Sequence, residues 1–122
     1  MRRFFSTILF TTLSITAAVA VDFKSPIRNI DGTSIPVSAD DKTPLTLGKI
    51  AEDALIANNL PGDTLGEGEK NKRFWLAMKV HANKESFSVD EIALIKKVIN
   101  LAYGPLVVGR ATELLDPASV PK

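Results

Sequence analysis

His81 is the single histidine of a 122-residue chain without cysteine. It is therefore the one side chain whose ordinary pKa suits proton transfer near neutrality. A catalytic or metal-binding role would need partners, and the nearest carboxylate, Glu85, follows in a loop. His81 shares a helical stripe with Phe74, Ala77 and Met78, where a buried or half-buried imidazole bonded to backbone is expected. Glu67 with Glu69, and Asp90 with Glu91, are close acidic pairs. Residues one or two apart do not share a helix face, and negative charge in a first helical turn is already favoured by the dipole. Gly62, Gly66 and Gly68 lack the lysine and hydroxyl residue of a phosphate-binding loop. Serines and threonines sit in no recognisable nucleophile pattern. No catalytic residue, cofactor or metal ligand is assigned. The enzymatic alternative is a small hydrolase-like protein whose carboxylates are assembled only by the fold.

Binding chemistry is better represented. Lys70, Lys72, Arg73, Lys79 and Lys84 form the most basic segment, a solvated face that could also meet an acidic partner or anionic lipid headgroups. Lys72, Trp75 and Lys79 on this segment, with Ile30 and Ile35 upstream, make up the candidate partner surface. Nucleic acid is not an expected partner. Setting Arg2 and Arg3 aside leaves thirteen basic residues against fourteen acidic ones, without the basic excess that a nucleic-acid footprint requires. The last two helices mimic a helix-turn-helix in spacing, yet the final one offers only Arg110 as a basic reader.

The N-terminus supplies a compartment. Arg2 and Arg3 precede an uncharged run from Phe4 to Val19 that closes on Ala18-Val19-Ala20, the layout of an export signal with a small-residue cleavage site. The mature chain then begins at Val21 and is periplasmic or secreted. The alternative is a retained membrane anchor, because the run approaches the roughly 17 to 25 residues of a spanning helix. The expected partner is an envelope or extracellular protein, with membrane contact only through the N-terminal segment.

The elements behind these residues divide the chain into a signal peptide or anchor (1–20), an extended segment (21–44), a helical domain (45–116) and a flexible tail (117–122). The fold class is mainly α: a small bundle of four short helices preceded by a short β-hairpin. Asp31-Gly32, between Ile30 and Ile35, provides the tight-turn pair of that hairpin, and residues 37–44 read as a mobile polar connector. Thr46 caps a first helix that buries Leu47, Ile50, Ala51, Ala54 and Leu55 and ends near Asn58-Asn59, before Pro61-Gly62. The second helix, over 67–82, is apolar around most of its circumference, which predicts a central position anchored by Phe74 and Trp75. Ser88 and Glu91 form a capping box for the third, whose buried face is Ile92, Ile95, Val98, Ile99 and Ala102. Gly104-Pro105 ends it, with glycine supplying the exit conformation. Pro105 opens the fourth, burying Val107, Val108, Ala111, Leu114 and Leu115 while Arg110 and Glu113 face out. Helices two to four are expected to form the core unit.

Several of these pieces together, namely Asp31-Gly32, Leu45-Thr46-Leu47-Gly48 with Ala54-Leu55-Ile56-Ala57, Lys72-Arg73-Phe74 with Leu76-Ala77, and Ser88 with Glu91-Ile92-Ala93-Leu94-Ile95-Lys96, resemble a set of small phage and prophage proteins of unknown function. The resemblance spans about Ile30 to Leu115 and implies no activity and no site residues. Compactness, the export leader and the lack of a reactive constellation lead to the expectation of an exported binding or regulatory module of the cell envelope, for instance a phage-derived one, acting by protein–protein contact.

Overall fold

The computed structural model describes residues 19–58, 60, 67–84 and 86–121. Residues 1–18 of the leader, most of the glycine-bearing loop after Asn58, Glu85, Lys122 and the side chains of Val19 and Glu67 lie outside the described residues. The chain is mainly helical, as expected. Helices α1 (Leu47–Leu55), α2 (Glu67–His81), α3 (Val89–Ala102) and α4 (Pro105–Leu115) are followed by a 3-10 turn at Pro117–Ser119.

Local chemistry starts and stops these helices. The Thr46 hydroxyl accepts from the Lys49 amide at 3.2 Å and caps α1. The Ser88 hydroxyl accepts from the Glu91 amide at 3.1 Å, while the Glu91 carboxylate accepts from the Ser88 amide at 2.8 Å, completing the capping box of α3. Pro105 occupies the first turn of α4 as expected, but Gly104 is extended rather than left-handed. Asn83 instead takes a positive φ of 52° at the exit of α2, a conformation asparagine tolerates better than most residues.

The centre of the bundle is a correction to the sequence reading. Helix α1 packs on both α2 and α3, and α4 packs on α3. Helix α2 lies outside. It buries Arg73, Leu76, Ala77 and Val80, whereas Phe74, Trp75 and Met78 are exposed. Its wide apolar circumference is thus two stripes, one facing α1 and one facing solvent. Helix α1 also stops at Leu55, short of Asn58-Asn59. Arg73, only 3% exposed, donates from Nε to the Leu55 carbonyl at 2.9 Å and from Nη2 to the Ala57 carbonyl at 2.8 Å. A guanidinium therefore takes carbonyls that a terminating helix leaves without intrahelical partners. On α3, Ile92, Ile95, Val98 and Ile99 are buried as expected, but Ala102 is exposed; on α4 only Ala111 and Leu115 are fully buried.

The expected hairpin does not form as a strand pair. Its arms meet at one isolated bridge, Arg28 with Ser34, around a loop closed by the Asn29 amide donating to the Thr33 carbonyl at 2.8 Å. Pro26 and Pro36 deny both arms ladder donors. The arms bond instead to the segment entering α1, with the Ile27 amide donating to the Leu45 carbonyl at 2.8 Å and the Leu45 amide to the Ile35 carbonyl at 2.6 Å. The 37–44 connector is held by its own bonds, the Val37 amide to the Thr43 carbonyl at 2.9 Å and the Asp41 amide to the Ser38 hydroxyl at 3.1 Å. Two-residue strands β1 (Val19–Ala20) and β2 (Ser86–Phe87) pair antiparallel.

Phe23 and Ile27 enter the core from the extended segment, and Phe23 meets Phe87 edge-to-face at 4.9 Å between centroids. The Phe23 carbonyl accepts from the Gly48 amide at 2.8 Å, so the segment lies directly against the first turn of α1. A Cβ at Gly48 would come within 2.9 Å of that carbonyl oxygen. Replacing a helical glycine with alanine ordinarily stabilises by about 1 kcal/mol. Here Gly48→Ala is expected to destabilise by about 1 to 3 kcal/mol through overpacking, read as a lower urea midpoint. A raised midpoint would mean that this close approach does not exist.

Candidate binding face on the second helix

Three residues of α2 build an apolar outer face. Phe74 and Met78 are one helical turn apart, and Trp75 lies beside them, its ring edge-to-face with Phe74 at 5.0 Å. Trp75 is 65% exposed. Its apolar stem points away from the core because Leu76, Ala77 and Val80 already fill the side toward α1. Single exposed apolar residues are ordinary on protein surfaces, but adjacent large ones mark contact sites.

Charged groups border this face. Lys70 and Lys72 are exposed. Lys79 is half-buried, donating to Glu91 Oε1 at 2.8 Å with its ammonium 4.7 Å from the Phe87 ring centroid. Between α2 and α3 runs a groove of about 650 Å³ lined by Trp75, Leu76 and Leu94, with Lys72, Lys97, Glu69 and Asp90 at its edges. Burial pulls the Glu91 carboxyl upward, but the bonds from Lys79 and the Ser88 amide outweigh it and hold the group below its ordinary value. A carboxyl serving as general acid near neutrality needs the opposite shift. Glu91 therefore stands as a permanent charge that fixes the start of α3 and the stem of Lys79.

Of the candidate partner residues, Lys72, Trp75 and Lys79 come together on this groove. Ile30 does not join them. It is 86% exposed and borders a separate cleft of about 700 Å³ with Leu106 of α4 and Val120 and Pro121 of the tail. Ile35 is half-buried against the core and offers little surface.

Three further residues lie elsewhere than the sequence suggested. His81 is not buried: its side chain is 78% exposed, with Nδ1 3.1 Å from Glu52 Oε1. Arg73 is no part of a basic face, being spent on the end of α1. Arg110 does not face freely outward, since it donates to the carbonyls of Arg28 at 3.1 Å and Asn29 at 2.7 Å and tethers the Asp31-Gly32 loop to α4. Phe74 and Met78 were missed as surface residues. The signal was present in the i, i+3, i+4, i+7 spacing of Arg73, Leu76, Ala77 and Val80, hidden because its first member is an arginine.

Among the described residues no group of three or more His, Cys, Asp or Glu side chains could hold a metal ion, and no helix is long and apolar enough to cross a membrane. Compared with protein-family models, curated proteins and solved structures, the chain matches none.

Proposed function

We propose that this chain is a small exported binding or regulatory module of the cell envelope, allied to phage-encoded proteins, that acts by surface contact through the outer face of α2. The observation that carries the proposal is the adjacent exposure of Phe74, Trp75 and Met78 on one helix face. Aromatic residues and methionine are enriched at contact surfaces, the rings because they supply large apolar area at small conformational cost and methionine because its flexible stem adapts to a partner. The Arg2-Arg3 leader and the apolar run behind it support action outside the cytoplasm.

Photocrosslinking in intact envelopes tests this directly. A photoreactive residue at position 75 should give covalent adducts to protein or to lipid, whereas the same residue at exposed Asp40 should give none. Equal labelling at both positions would remove the basis for the proposal.

A further inference from the structure

Resting on the reading that the outer face of α2 is the contact surface, we infer that its occupant is the anionic surface of a lipid bilayer. At about 100° per residue, Phe74, Met78 and Trp75 occupy the sector opposite the buried Leu76, Ala77 and Val80. Lys70 lies one turn before Phe74, on one side of that sector. Lys72 lies one turn before Trp75, on the other. An apolar strip bordered on both sides by exposed lysines is the arrangement of a helix lying in a membrane interface. The rings enter the headgroup boundary while the ammonium groups reach phosphate oxygens.

The course of the chain supplies a second observation. The first described residues, Val19–Ala20, pair with Ser86–Phe87, and Ala20 and Val21 line one small cleft together with Asn83 and Lys84, just beyond the C-terminal end of α2. The Phe23 amide donates to the Asn83 side chain at 3.3 Å, fixing that approach. The uncharged run Phe4 to Val19 is thus joined to the body beside the end of the helix that carries the exposed rings. While the leader is in the membrane, the end of α2 and the start of α3 are the parts of the body nearest its point of attachment, and Lys84 stands at the junction.

Charge complementarity selects the lipid. Lys70, Lys72 and Lys84 have exposed side chains, whereas Lys79 is engaged by Glu91. On the α3 side Glu69 is half-buried, and the exposed Asp90 is matched there by the exposed Lys97, so the excess charge beside the rings is that of Lys70 and Lys72. Lysines near an anionic leaflet each strengthen binding several-fold and do so in a salt-dependent way.

Trp75 is the only tryptophan of the chain, so its fluorescence reports this face alone. With the full-length chain and vesicles containing phosphatidylglycerol, the emission should shift to the blue and be quenched by brominated acyl chains. Neutral phosphatidylcholine vesicles should bind about tenfold more weakly. The double change Lys70→Glu and Lys72→Glu should weaken binding to anionic vesicles by about thirtyfold or more, with the helical circular dichroism unchanged. Co-sedimentation with vesicles without any change at Trp75 would mean that the leader alone binds, which overturns the proposal. Equal blue shifts on neutral and anionic vesicles overturn the assignment to anionic lipid. Protein adducts from position 75 without bromolipid quenching would overturn the bilayer proposal and leave the contact face standing, whereas the absence of both would remove the contact face as well.

Discussion

Replacing Phe23 with alanine is expected to destabilise the protein by about 3 to 5 kcal/mol, a large part of the 5 to 15 kcal/mol typical of a domain. Phe23 is 2% exposed and packs edge-to-face on Phe87. Its backbone also bonds to Gly48 of α1 and to the Asn83 side chain after α2. One residue of the extended segment therefore joins the start of one helix to the end of another and to the β2 position. Truncating the ring leaves a cavity between elements whose backbones are held by those bonds, so collapse is limited and the loss stays near the upper part of the range. Urea denaturation followed by circular dichroism should show the midpoint falling by about 2 M, given a slope of 1 to 3 kcal/mol per molar. Phe74→Ala is the matched comparison. It removes the same ring from an exposed position, and its midpoint should move by the equivalent of less than about 1 kcal/mol. Similar shifts for the two variants would mean that the extended segment does not lie on the helices.

Arg73→Met should cost about 3 kcal/mol, from charge-assisted bonds worth about 1.5 to 3 kcal/mol each with some loss recovered by relaxation. Methionine keeps much of the apolar stem while removing the guanidinium that donates to the Leu55 and Ala57 carbonyls. The buried Leu55 carbonyl then lies at the C-terminal end of α1 without this donor, where the helix dipole makes a missing cation costlier. Arg73→Lys should recover only part of the loss, because a single ammonium cannot reproduce the planar fork that reaches two carbonyls at once. Amide hydrogen exchange provides the specific readout. Protection should fall first in the last turn of α1 for the methionine variant, before α3 is affected. A loss of protection in α3 as large as that in the last turn of α1 would contradict a local role at that helix end.

The helix starts were legible because they rest on contacts within four residues. Thr46 with Lys49, Ser88 with Glu91 and proline at the first position of α4 are recoverable from spacing alone, since the groups that satisfy each terminus lie beside it in the chain. The buried faces of α1 and α3 were legible for the same reason, one continuous stripe at helical period on each. Helix α2 was not. Its apolar residues fall into two stripes, and the one that meets the bundle begins with an arginine, so a search for apolar periodicity does not single it out. The candidate face was named in part, through Trp75, Lys72 and Lys79, although Trp75 was read together with Phe74 as an anchor of a central helix, and Met78 was placed on the stripe expected to be buried.

By itself, then, the sequence determined a cysteine-free, mainly helical chain, the starts of its capped helices and the inward faces of α1 and α3, because each follows from interactions between residues a turn apart. Only the tertiary structure decided that α1 sits between α2 and α3, that Arg73 is buried at the end of α1, that Phe23 holds the extended segment in the core, and that Trp75 faces solvent. Those outcomes depend on which surfaces meet across tens of residues. The free energy of burial is gained by whichever pairing fills space best, and no local pattern encodes that choice.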